Sequence, residues 1–500
     1  MSELVPLRTG EATAAGLVPF RVRKIGPDVL LTNPWGDWVF VTPSELDILA
    51  SRSLQVGSAL YEKLAERGFL RDRLDPAVVA ERWNRRKRFL DAGPNLHIII
   101  ATLRCNQTCV YCHASRAQWS DTSTDMSLET AAKVVDFIFQ STSPRLTIEF
   151  QGGEPLAHFD LVKYVIERAK EKNRQEDKNL EFTLVSNLSL LDDEKLDYLV
   201  NNKVQICTSI DGPAELHDRQ RVLASGSSFT EAVRWIERIN QRYVQMGLDP
   251  VLYHVEALIT TTRAALAMPK RIVDTYVDLG CRAIFLRPVD PFGFAAQTGK
   301  TIDYDRAAFL DFYRQAVEHI LDLNRQGVQV LERYAAIFLT KILGDEDPNF
   351  LDIRSPCGAG IGQLAYNYDG KIFTCDEGRM LHQMGDSFFQ LGSIDDARYR
   401  KIMLTDTVRA MTMASNLDAQ PDCVVCAYNP YCGVCPVHNY ATQGSIFGRM
   451  RESAWCAVHK GIQDYLFDLL RQNDPTTMEI LRRWTTLRER DHFIQPTCAE

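Results

Sequence analysis

The stretch "LHIIIATLRCNQTCVYCHAS", residues 96–115, joins an apolar run to a cluster of cysteines. The run is rich in isoleucine, as expected for a buried strand. Cys105, Cys109 and Cys112 follow it in a polar loop. A structural zinc site takes four protein ligands and a disulfide framework takes an even number of cysteines, so three cysteines fit neither well. Three thiolates do suffice for a [4Fe–4S] cluster that leaves one iron open to a small-molecule ligand.

Five further apolar runs follow the first, and amphipathic helical segments alternate with them. They are "RLTIEF", "LEFTLVSN", "VQICTSI", "VLYHVEALIT" and "AIFLRP". This alternation predicts an α/β fold with buried parallel strands and right-handed crossovers, either an open barrel or a wound sheet. Ligands of such folds bind at the carboxyl ends of the strands. The polar motifs "QGGEP", "SN" and "SIDG" each follow a predicted strand.

Composition and charge exclude several classes of protein. The chain has 500 residues and a formal net charge of −8. This acidic balance gives no indication of binding to nucleic acids or anionic membranes. Its start has no basic segment followed by an apolar run, and no stretch approaches the roughly 20 apolar residues of a membrane span. We therefore expect a cytoplasmic protein. Its 13 cysteines are clustered, and in a reducing compartment clustering predicts metal or iron–sulfur ligation.

The spacing Cys105-x3-Cys109-x2-Cys112, with Tyr111 before the third cysteine, resembles the signature of radical S-adenosylmethionine (SAM) enzymes. The resemblance implies a partial (β/α)6 barrel, a [4Fe–4S] cluster on these cysteines and SAM bound to the open iron. It further implies reductive cleavage of SAM to a 5′-deoxyadenosyl radical. The alternative for the same cysteines is a zinc knuckle with a distant fourth ligand such as His113.

Residues after the predicted strands are candidates for binding SAM. Glycines allow close backbone approach to a ligand, and a carboxylate such as that of Glu154 suits an ammonium group. By resemblance, Glu154 belongs to the stretch that receives the amino group of SAM, Ser209 contacts the ribose and Arg221 the carboxylate. A guanidinium matches a carboxylate well, although a surface arginine is the alternative. The positions that match the family are Tyr111, Gly152, Gly153, Glu154, Ser186, Asn187, Ser209, Arg221 and Leu286.

A second group of cysteines resembles the SPASM extension, which carries two auxiliary [4Fe–4S] clusters. Its members are Cys357, Cys375, Cys423, Cys426, Cys432, Cys435 and Cys456. The resemblance implies one cluster on Cys423, Cys426, Cys432 and Cys456 and another on Cys357, Cys375 and Cys435. Fully ligated relatives have a further cysteine where this chain has Gln363, so the latter set resembles a three-cysteine site. Two residues separate Cys432 from Cys435 where the family has three. A zinc ribbon on Cys423, Cys426, Cys432 and Cys435 is the alternative.

Asp376 is the one carboxylate for which a motif suggests catalysis. It directly follows Cys375. In sulfatase-maturing relatives an aspartate after the matching cysteine is the base that deprotonates the substrate, and the resemblance implies the same role here. The alternative is a surface aspartate without a catalytic role.

The chain divides into several regions by pattern. Short strands followed by two helices at 18–75 predict a winged-helix-like module, similar to those that bind the leader peptides of ribosomally made precursors. The alternative is an unrelated N-terminal cap. The full division is an N-terminal tail 1–17, the module 18–75, a linker 76–95, the radical SAM barrel 96–300, a helical bridge 301–350, the SPASM region 351–460 with little helix, and a helical tail 461–500.

The substrate class follows from the resemblance. SPASM enzymes mostly modify peptides and proteins, and the motifs together are similar to the maturases of the His-Xaa-Ser peptide system. The resemblance implies a precursor peptide, an electron donor such as flavodoxin or ferredoxin, and a second radical SAM maturase as partners. A sulfatase-maturing enzyme and a small-molecule radical enzyme are the alternatives. Cys207 and Cys281 read as packed thiols, and Cys498 falls in the tail.

Overall fold

The computed structural model describes residues 16–344, 346–348, 351–486 and 489–496. Cys498 and nearly all of the predicted N-terminal tail lie outside these residues. No described helix has both the length and the apolar character needed to cross a membrane.

The N-terminal region has its own small core. Its elements are β1 (Arg21–Ile25), β2 (Asp28–Thr32), β3 (Trp38–Val41), α1 (Pro43–Ala50) and α2 (Ala59–Glu66), followed by the connecting helix α3 (Pro76–Lys87). The strands form one antiparallel sheet, and its inner face packs on the helices through Leu31, Tyr61 and Leu64. Helix α1 begins after Thr42, which forms a reciprocal capping box with Glu45.

The central region alternates strands and helices. Its strands are β4 (Leu96–Thr102), β5 (Gln107–Cys109), β6 (Arg145–Gly152), β7 (Asn179–Val185), β8 (Val204–Ser209), β9 (Arg221–Leu223), β10 (Glu256–Thr261), β11 (Ala283–Ile284), β12 (Leu286–Pro288) and β13 (Leu331–Glu332). Its helices are α4 (Leu128–Ile138), α5 (Phe159–Glu176), α6 (Asp193–Asn201), α7 (Ala214–Gln220), α8 (Ser228–Gln245), α9 (Pro269–Asp278), α10 (Phe294–Ile302), α11 (Arg306–Arg325) and α12 (Arg333–Leu343).

The predicted α/β fold is confirmed. Strands β12, β10, β8, β7, β6 and β4 lie side by side in that order, and all are parallel. The sheet stays open, as expected for a partial barrel. Its face opposite the core that packs on the helices, where the Thr183 hydroxyl donates to the Glu149 carboxylate, is called here the concave face. One boundary was wrong: the run that starts at Val251 becomes strand only at Glu256, because Pro250 begins a turn in which the Leu252 and Tyr253 amides donate to Asp249 O.

The C-terminal region extends the same sheet. Its elements are β14 (Gln363–Tyr366), β15 (Lys371–Phe373), α13 (Asp376–Gln383), β16 (Gln390–Ser393), α14 (Tyr399–Met403), α15 (Asp406–Ser415), α16 (Pro421–Val424), α17 (Pro436–Gln443), α18 (Ala454–Gln472) and α19 (Pro475–Trp484). Strand β14 pairs in parallel with β4, and β15 and β16 follow antiparallel. The prediction of little helix at 351–460 was wrong, since five of these helices begin and end there and α18 begins before residue 460.

The last described segment, 489–496, returns to the starting ends of the strands. The Gln495 amide donates to Leu180 O at 2.8 Å, next to a bridge between Glu181 and Ile494. Helices α18 and α19 agree with the predicted helical tail, but this segment is not α-helical. Because this segment covers the starting ends of the strands, the candidate site lies at the opposite, carboxyl ends.

Candidate active site

The loop that carries Cys105, Cys109 and Cys112 leaves the end of β4 and is fixed by a second small sheet. Cys109 lies in β5 and pairs with Arg221 in β9. The Cys112 amide donates to Cys109 O at 3.2 Å, which turns the chain sharply. All three cysteines are partly exposed, and Cys109 and Cys112 are near enough to Cys105 to affect its pKa.

The thiols of this loop are held in a poorly solvated place. Burial raises the pKa of Cys109 to about 12, and the nearby Arg221 guanidinium partly offsets the rise. Burial likewise raises the pKa of Cys105, with Glu154 adding to the rise. The Asn187 side-chain amide approaches the Cys105 sulfur at 3.8 Å. Thiols in such surroundings keep their protons until a cationic group replaces them, as an iron–sulfur cluster does.

The two glycines of "QGGEP" allow β6 to end directly against this loop. A side chain at Gly152, where φ is +149°, would meet Thr102 O at 2.1 Å, and one at Gly153 would meet Leu103 O at 2.2 Å. The glycines were expected to admit a ligand. In the structure they admit another backbone: the Gly153 amide donates to Thr102 O at 2.8 Å. Their size therefore fixes the position of the cysteine loop.

Glu154 joins two neighbouring strand ends. Its carboxylate accepts hydrogen bonds from the Ser186 hydroxyl at 2.7 Å, the Leu156 amide at 3.0 Å and the Asn187 amide at 2.8 Å. It is 1% exposed, and burial raises its pKa to about 7 despite these donors. The structure thus brings Glu154, Ser186 and Asn187 together, beside Cys105.

Tyr111 and Arg221 meet at a residue that the sequence left unassigned. The Tyr111 hydroxyl donates to the Asp211 carboxylate at 2.5 Å, and Arg221 Nε lies 3.1 Å from the same oxygen. The guanidinium also lies over the Tyr111 ring, 5.2 Å from its centre. Asp211 is fully buried. The "SIDG" motif contained the signal, but nothing in the sequence showed that Asp211 would connect the cysteine loop to β9.

The last two candidate SAM positions differ in exposure. Ser209 ends β8 and is partly exposed, on the same side of the strand as Cys207. Leu286 is fully buried in the main core. Its neighbour Arg287 is partly exposed and follows the alternation of the strand to the concave face.

Cys357, Cys375 and Cys435, called here the Cys357 set, pack together in one buried cluster. Two of them begin helices. The Cys375 sulfur accepts the Gly378 amide at 3.4 Å at the start of α13, and the Cys435 sulfur accepts the His438 amide at 3.4 Å at the start of α17. Helix N-termini stabilise negative charge, as thiolate ligands require. Gln363 is buried at the start of β14.

Cys423, Cys426, Cys432 and Cys456, called here the Cys423 set, form a separate group. Burial raises the pKa of Cys423, Cys432 and Cys456, and neighbouring thiols of the set, Cys426 among them, raise it further, so the four lie close together. Cys435 packs with the other set, so the cysteines do not group as the zinc-ribbon alternative requires. Among the described residues no three His, Cys, Asp or Glu side chains are arranged around a single ion, and no described cysteine is in a disulfide.

Ionisable groups lie beside the Cys357 set, since Asp352 and Glu377 are near enough to Cys357 to affect its pKa. The pKa of Glu377 is raised by burial and by Asp352, and the pKa of Asp352 is itself raised by burial. Arg287 is close enough to both carboxylates for its pKa to be raised by them. Strand alternation could have placed Arg287 here, whereas Asp352 and Glu377 come from loops and a helix start.

Asp376 is the first residue of α13 and is 7% exposed. Its carboxylate accepts a hydrogen bond from Arg379 Nε at 2.6 Å, and Arg379 itself is fully buried. The surface-aspartate alternative is therefore wrong, because a solvated side chain would be exposed. Asp376 is also near enough to Glu149 and His113 to affect their pKa values, which places it on the concave side.

Comparisons with known proteins agree with this geometry. Residues 99–255 match the family model described as the radical SAM superfamily. A cysteine-type anaerobic sulfatase-maturating enzyme of Clostridium perfringens is 23% identical over 400 residues, which cover 75% of this chain and 98% of the relative. The matched residues 99–255 lie on the α/β sheet described above.

Two solved structures share the fold over most of the chain. One is native anSMEcpe with bound AdoMet and Cp18Cys peptide, with a TM-score of 0.62, 19% identity and coverage of 78% of this chain and 100% of that one. The other is Streptococcus suis SuiB bound to precursor peptide SuiA, with a TM-score of 0.53, 12% identity and coverage of 87% and 98%. The chain is thus similar in sequence to an anaerobic sulfatase-maturating enzyme and similar in fold to both of these solved structures.

Proposed function

We propose that this protein is a radical SAM maturase that modifies a ribosomally made precursor peptide of the His-Xaa-Ser type. The observation that carries the proposal is that the ten motif cysteines fall into three sets, and that helix α13, which begins after Cys375, contacts the cysteine loop through a hydrogen bond from Arg379 Nη1 to Ala114 O at 3.5 Å. A single-ion metal protein would not need this arrangement.

The residues around the cysteine loop fit a bound cluster with SAM. We assign Cys105, Cys109 and Cys112 as cluster ligands, since all three are partly exposed in one loop, lack disulfide partners and include Cys109 beside Arg221. When bound, the reduced cluster would supply the electron that cleaves SAM to a 5′-deoxyadenosyl radical. Glu154 is fixed by donors from Ser186 and other groups, so its carboxylate is pre-oriented for the ammonium group of SAM.

The side chains of Arg221 and Tyr111 would bind the rest of SAM. Arg221 is oriented by its ion pair with Asp211 and would pair with the SAM carboxylate. The ring of Tyr111, over which the guanidinium lies, would stabilise it by a cation–π contact. Gly152 and Gly153 would act indirectly, by setting the position of the loop. Ser209 remains our candidate for the ribose and Leu286 for the adenine wall.

The two auxiliary sets would hold [4Fe–4S] clusters. The Cys423 set offers four thiols and the Cys357 set three, two of them at helix N-termini. With Gln363 at the position of a fourth ligand, we propose that the Cys357 cluster keeps an iron open toward the concave face. We assign Asp376 as the base that takes a proton from the substrate, held in its orientation by Arg379.

The N-terminal region would bind the precursor. Strands β1 and β3 are the edges of a small antiparallel sheet, and an extended leader peptide can add to such an edge. The electrons would come from flavodoxin or ferredoxin, and a second radical SAM maturase would act on the same precursor. All of these partners belong to the proposal.

The test is anaerobic reconstitution with iron and sulfide, followed by reaction with dithionite, SAM and a synthetic precursor with His-Xaa-Ser repeats. We expect 5′-deoxyadenosine and a change in the mass of the peptide. A Cys105→Ala variant is the matched control and should yield neither. An intact cluster without 5′-deoxyadenosine would contradict the whole assignment, whereas 5′-deoxyadenosine with an unchanged peptide would contradict only the substrate.

Anaerobic sulfatase maturation is the second candidate. It is favoured by the position of Asp376 directly after Cys375 and by the sulfatase-maturating relative, which is matched over 98% of its length. A peptide that carries the Cys or Ser of a sulfatase motif would then gain formylglycine, which mass spectrometry detects. A small-molecule substrate would be indicated by turnover that does not depend on the leader peptide.

A further inference from the structure

The chain segment that carries Cys423, Cys426 and Cys432 accepts hydrogen bonds from side chains of the N-terminal region. Arg21 Nε donates to Val424 O at 2.7 Å. The Thr32 hydroxyl donates to Ala427 O at 2.7 Å, and both of these residues are buried. Two strands of the small sheet thus supply donors to carbonyls on each side of Cys426.

The third contact comes from the connecting helix α3. Arg86 Nη1 donates to Pro430 O at 3.2 Å, and its guanidinium lies 5.8 Å from the centre of the Tyr431 ring. The Tyr431 hydroxyl in turn donates to Gly36 O at 3.0 Å, between β2 and β3. The main chain of residues 424–430 is therefore held at every third residue by a side chain from residues 21–86.

Aromatic side chains also pack in this interface between the N-terminal region and the cysteine segment. The rings of Tyr428 and Tyr431 each lie 5.7 Å from the ring of Phe467 in α18. The ring of Trp38 in β3 also lies 5.7 Å from the ring of Phe467. These contacts bury the outer face of the small sheet against the cysteine segment, so the N-terminal region does not form a separately tethered domain.

The segment has little regular structure of its own to fix its thiols. Its helix α16 ends at Val424, and the residues beyond it form turns. A buried carbonyl that loses its donor costs free energy and invites rearrangement of the chain. Metal ligands keep their geometry only when the groups behind them are held. Here the groups behind Cys426 and Cys432 are Thr32 and Arg86.

We propose that Arg21, Thr32 and Arg86 are positioning residues of the Cys423 site, so that the region expected to bind the precursor is also a structural part of one auxiliary cluster. This inference rests on the proposed function, since it takes the Cys423 set to hold a cluster. Its consequence is that a change in the N-terminal sheet, including the binding of a peptide to its edge, reaches the cluster through Ala427 O and Pro430 O.

The test uses the full chain with Cys105, Cys109 and Cys112 replaced by alanine, so that only the auxiliary clusters remain. In this background Thr32→Val removes the hydroxyl at nearly constant shape, and Thr32→Ser restores it. We expect Thr32→Val to change the midpoint potential and EPR spectrum of one auxiliary cluster and leave the other unchanged, with recovery in Thr32→Ser. Amides 423–432 should exchange hydrogen on the order of tenfold faster in Thr32→Val.

Two controls separate positioning from general destabilisation. Val39→Ala weakens the core of the small sheet without a bond to the cysteine segment, and Arg88→Ala removes an exposed cation beside α3. Neither should alter the cluster spectrum, whereas Arg86→Ala should. Unchanged spectra and exchange in Thr32→Val would overturn the inference. If the parent binds no cluster at all, the proposed function fails, and the exchange of amides 423–432 alone decides whether the contacts position this segment.

Discussion

Gly153 determines how closely the cysteine loop lies against the sheet. We expect Gly153→Ala to reduce the iron bound by the loop strongly, because the new methyl group would lie 2.2 Å from Leu103 O and 2.4 Å from Arg104 O. Overpacking of this kind typically costs about 1–3 kcal/mol, and here the backbone that must move carries Cys105. Iron analysis and the EPR signal of the reduced protein measure the effect. Gly299→Ala is the matched control, since nothing lies within 4 Å of a side chain there.

Glu154 gives a second prediction for a single residue. Glu154→Gln puts an amide donor where the carboxylate accepts from the Asn187 amide or the Ser186 hydroxyl, so two donors would face each other. We expect SAM to bind about ten to one hundred times more weakly, which corresponds to the roughly 1.5–3 kcal/mol of a hydrogen bond to a charged group. Calorimetric titration with SAM measures this. Glu181→Gln, near the opposite end of the strands, should bind as the parent does, and equal affinity of Glu154→Gln would exclude the assigned role.

Side chains that act through local spacing could be predicted from the sequence, whereas those that meet across the fold could not. The cysteine loop and "QGGEP" are recognised by spacing, because each is a short stretch with a fixed backbone requirement. Asp211 and Arg379 were missed as partners of Arg221 and Asp376. Each is a buried ionisable side chain whose role depends on the neighbour that the fold places beside it. The sequence alone does not show which neighbour that is.

At the scale of elements, the last described segment, 489–496, is joined to β10 by an ion pair. The pair links Arg490 to the buried carboxylate of Glu256. Glu256 accepts a hydrogen bond from Arg333 at 2.7 Å and another from Arg490. Burial alone would raise the pKa of Glu256, but the two guanidinium groups together lower it well below its usual value. Because the folded pKa is depressed, the ionised carboxylate stabilises the fold above about pH 4.3, and this stabilisation is lost as the pH falls toward the folded pKa.

We therefore predict a pH-dependent effect of Arg490→Met. At neutral pH the free energy of local opening should fall by about 1.5–3 kcal/mol, since a bond to a charged group is lost. At about pH 3.5 the decrease should be smaller, because loss of Arg490 raises the folded pKa of Glu256 and lets the folded variant bind a proton there, whereas protonation of the unfolded state is the same in both proteins. Hydrogen exchange of the Gln495 amide, which donates to Leu180 O, reports this opening. An equal decrease at both pH values would show that Glu256 is not the group involved.

The strands were predicted more accurately than the helices of the cysteine-rich region, for a physical reason. Buried parallel strands are continuous apolar runs of β-branched residues, which are visible in the sequence. Helices α13 and α17 are only eight residues long and are capped by the thiols of Cys375 and Cys435. Cysteine is not among the usual N-cap residues, so the strongest start signal is missing, and only Pro436 in α17 and the acidic first turn of α13 mark these helices.

At the scale of the whole molecule, the pairing of β14 with β4 makes one sheet of two regions that are far apart in the chain. Leu96–Ile99 pair in parallel with Gln363–Tyr366. On the concave face Ile98 and Ile100 pack with Ala365 and Phe373 in a common cluster. Without the C-terminal region, β4 would become an exposed apolar edge, which favours aggregation. The radical SAM region and the cysteine-rich region are therefore expected to fold together.

Dividing the chain between residues 344 and 351 tests this expectation. Produced alone, the N-terminal fragment should aggregate, because the edge of β4 and the apolar face beside it are uncovered. Produced together, the two fragments should elute from a sizing column as one complex, because the sheet pairing needs no covalent link. A C-terminal fragment with Phe373→Asp should fail to rescue its partner, since Phe373 is fully buried against Ile98 and Ile100. A soluble, monomeric N-terminal fragment would mean that β4 tolerates being an edge and that the two regions fold independently.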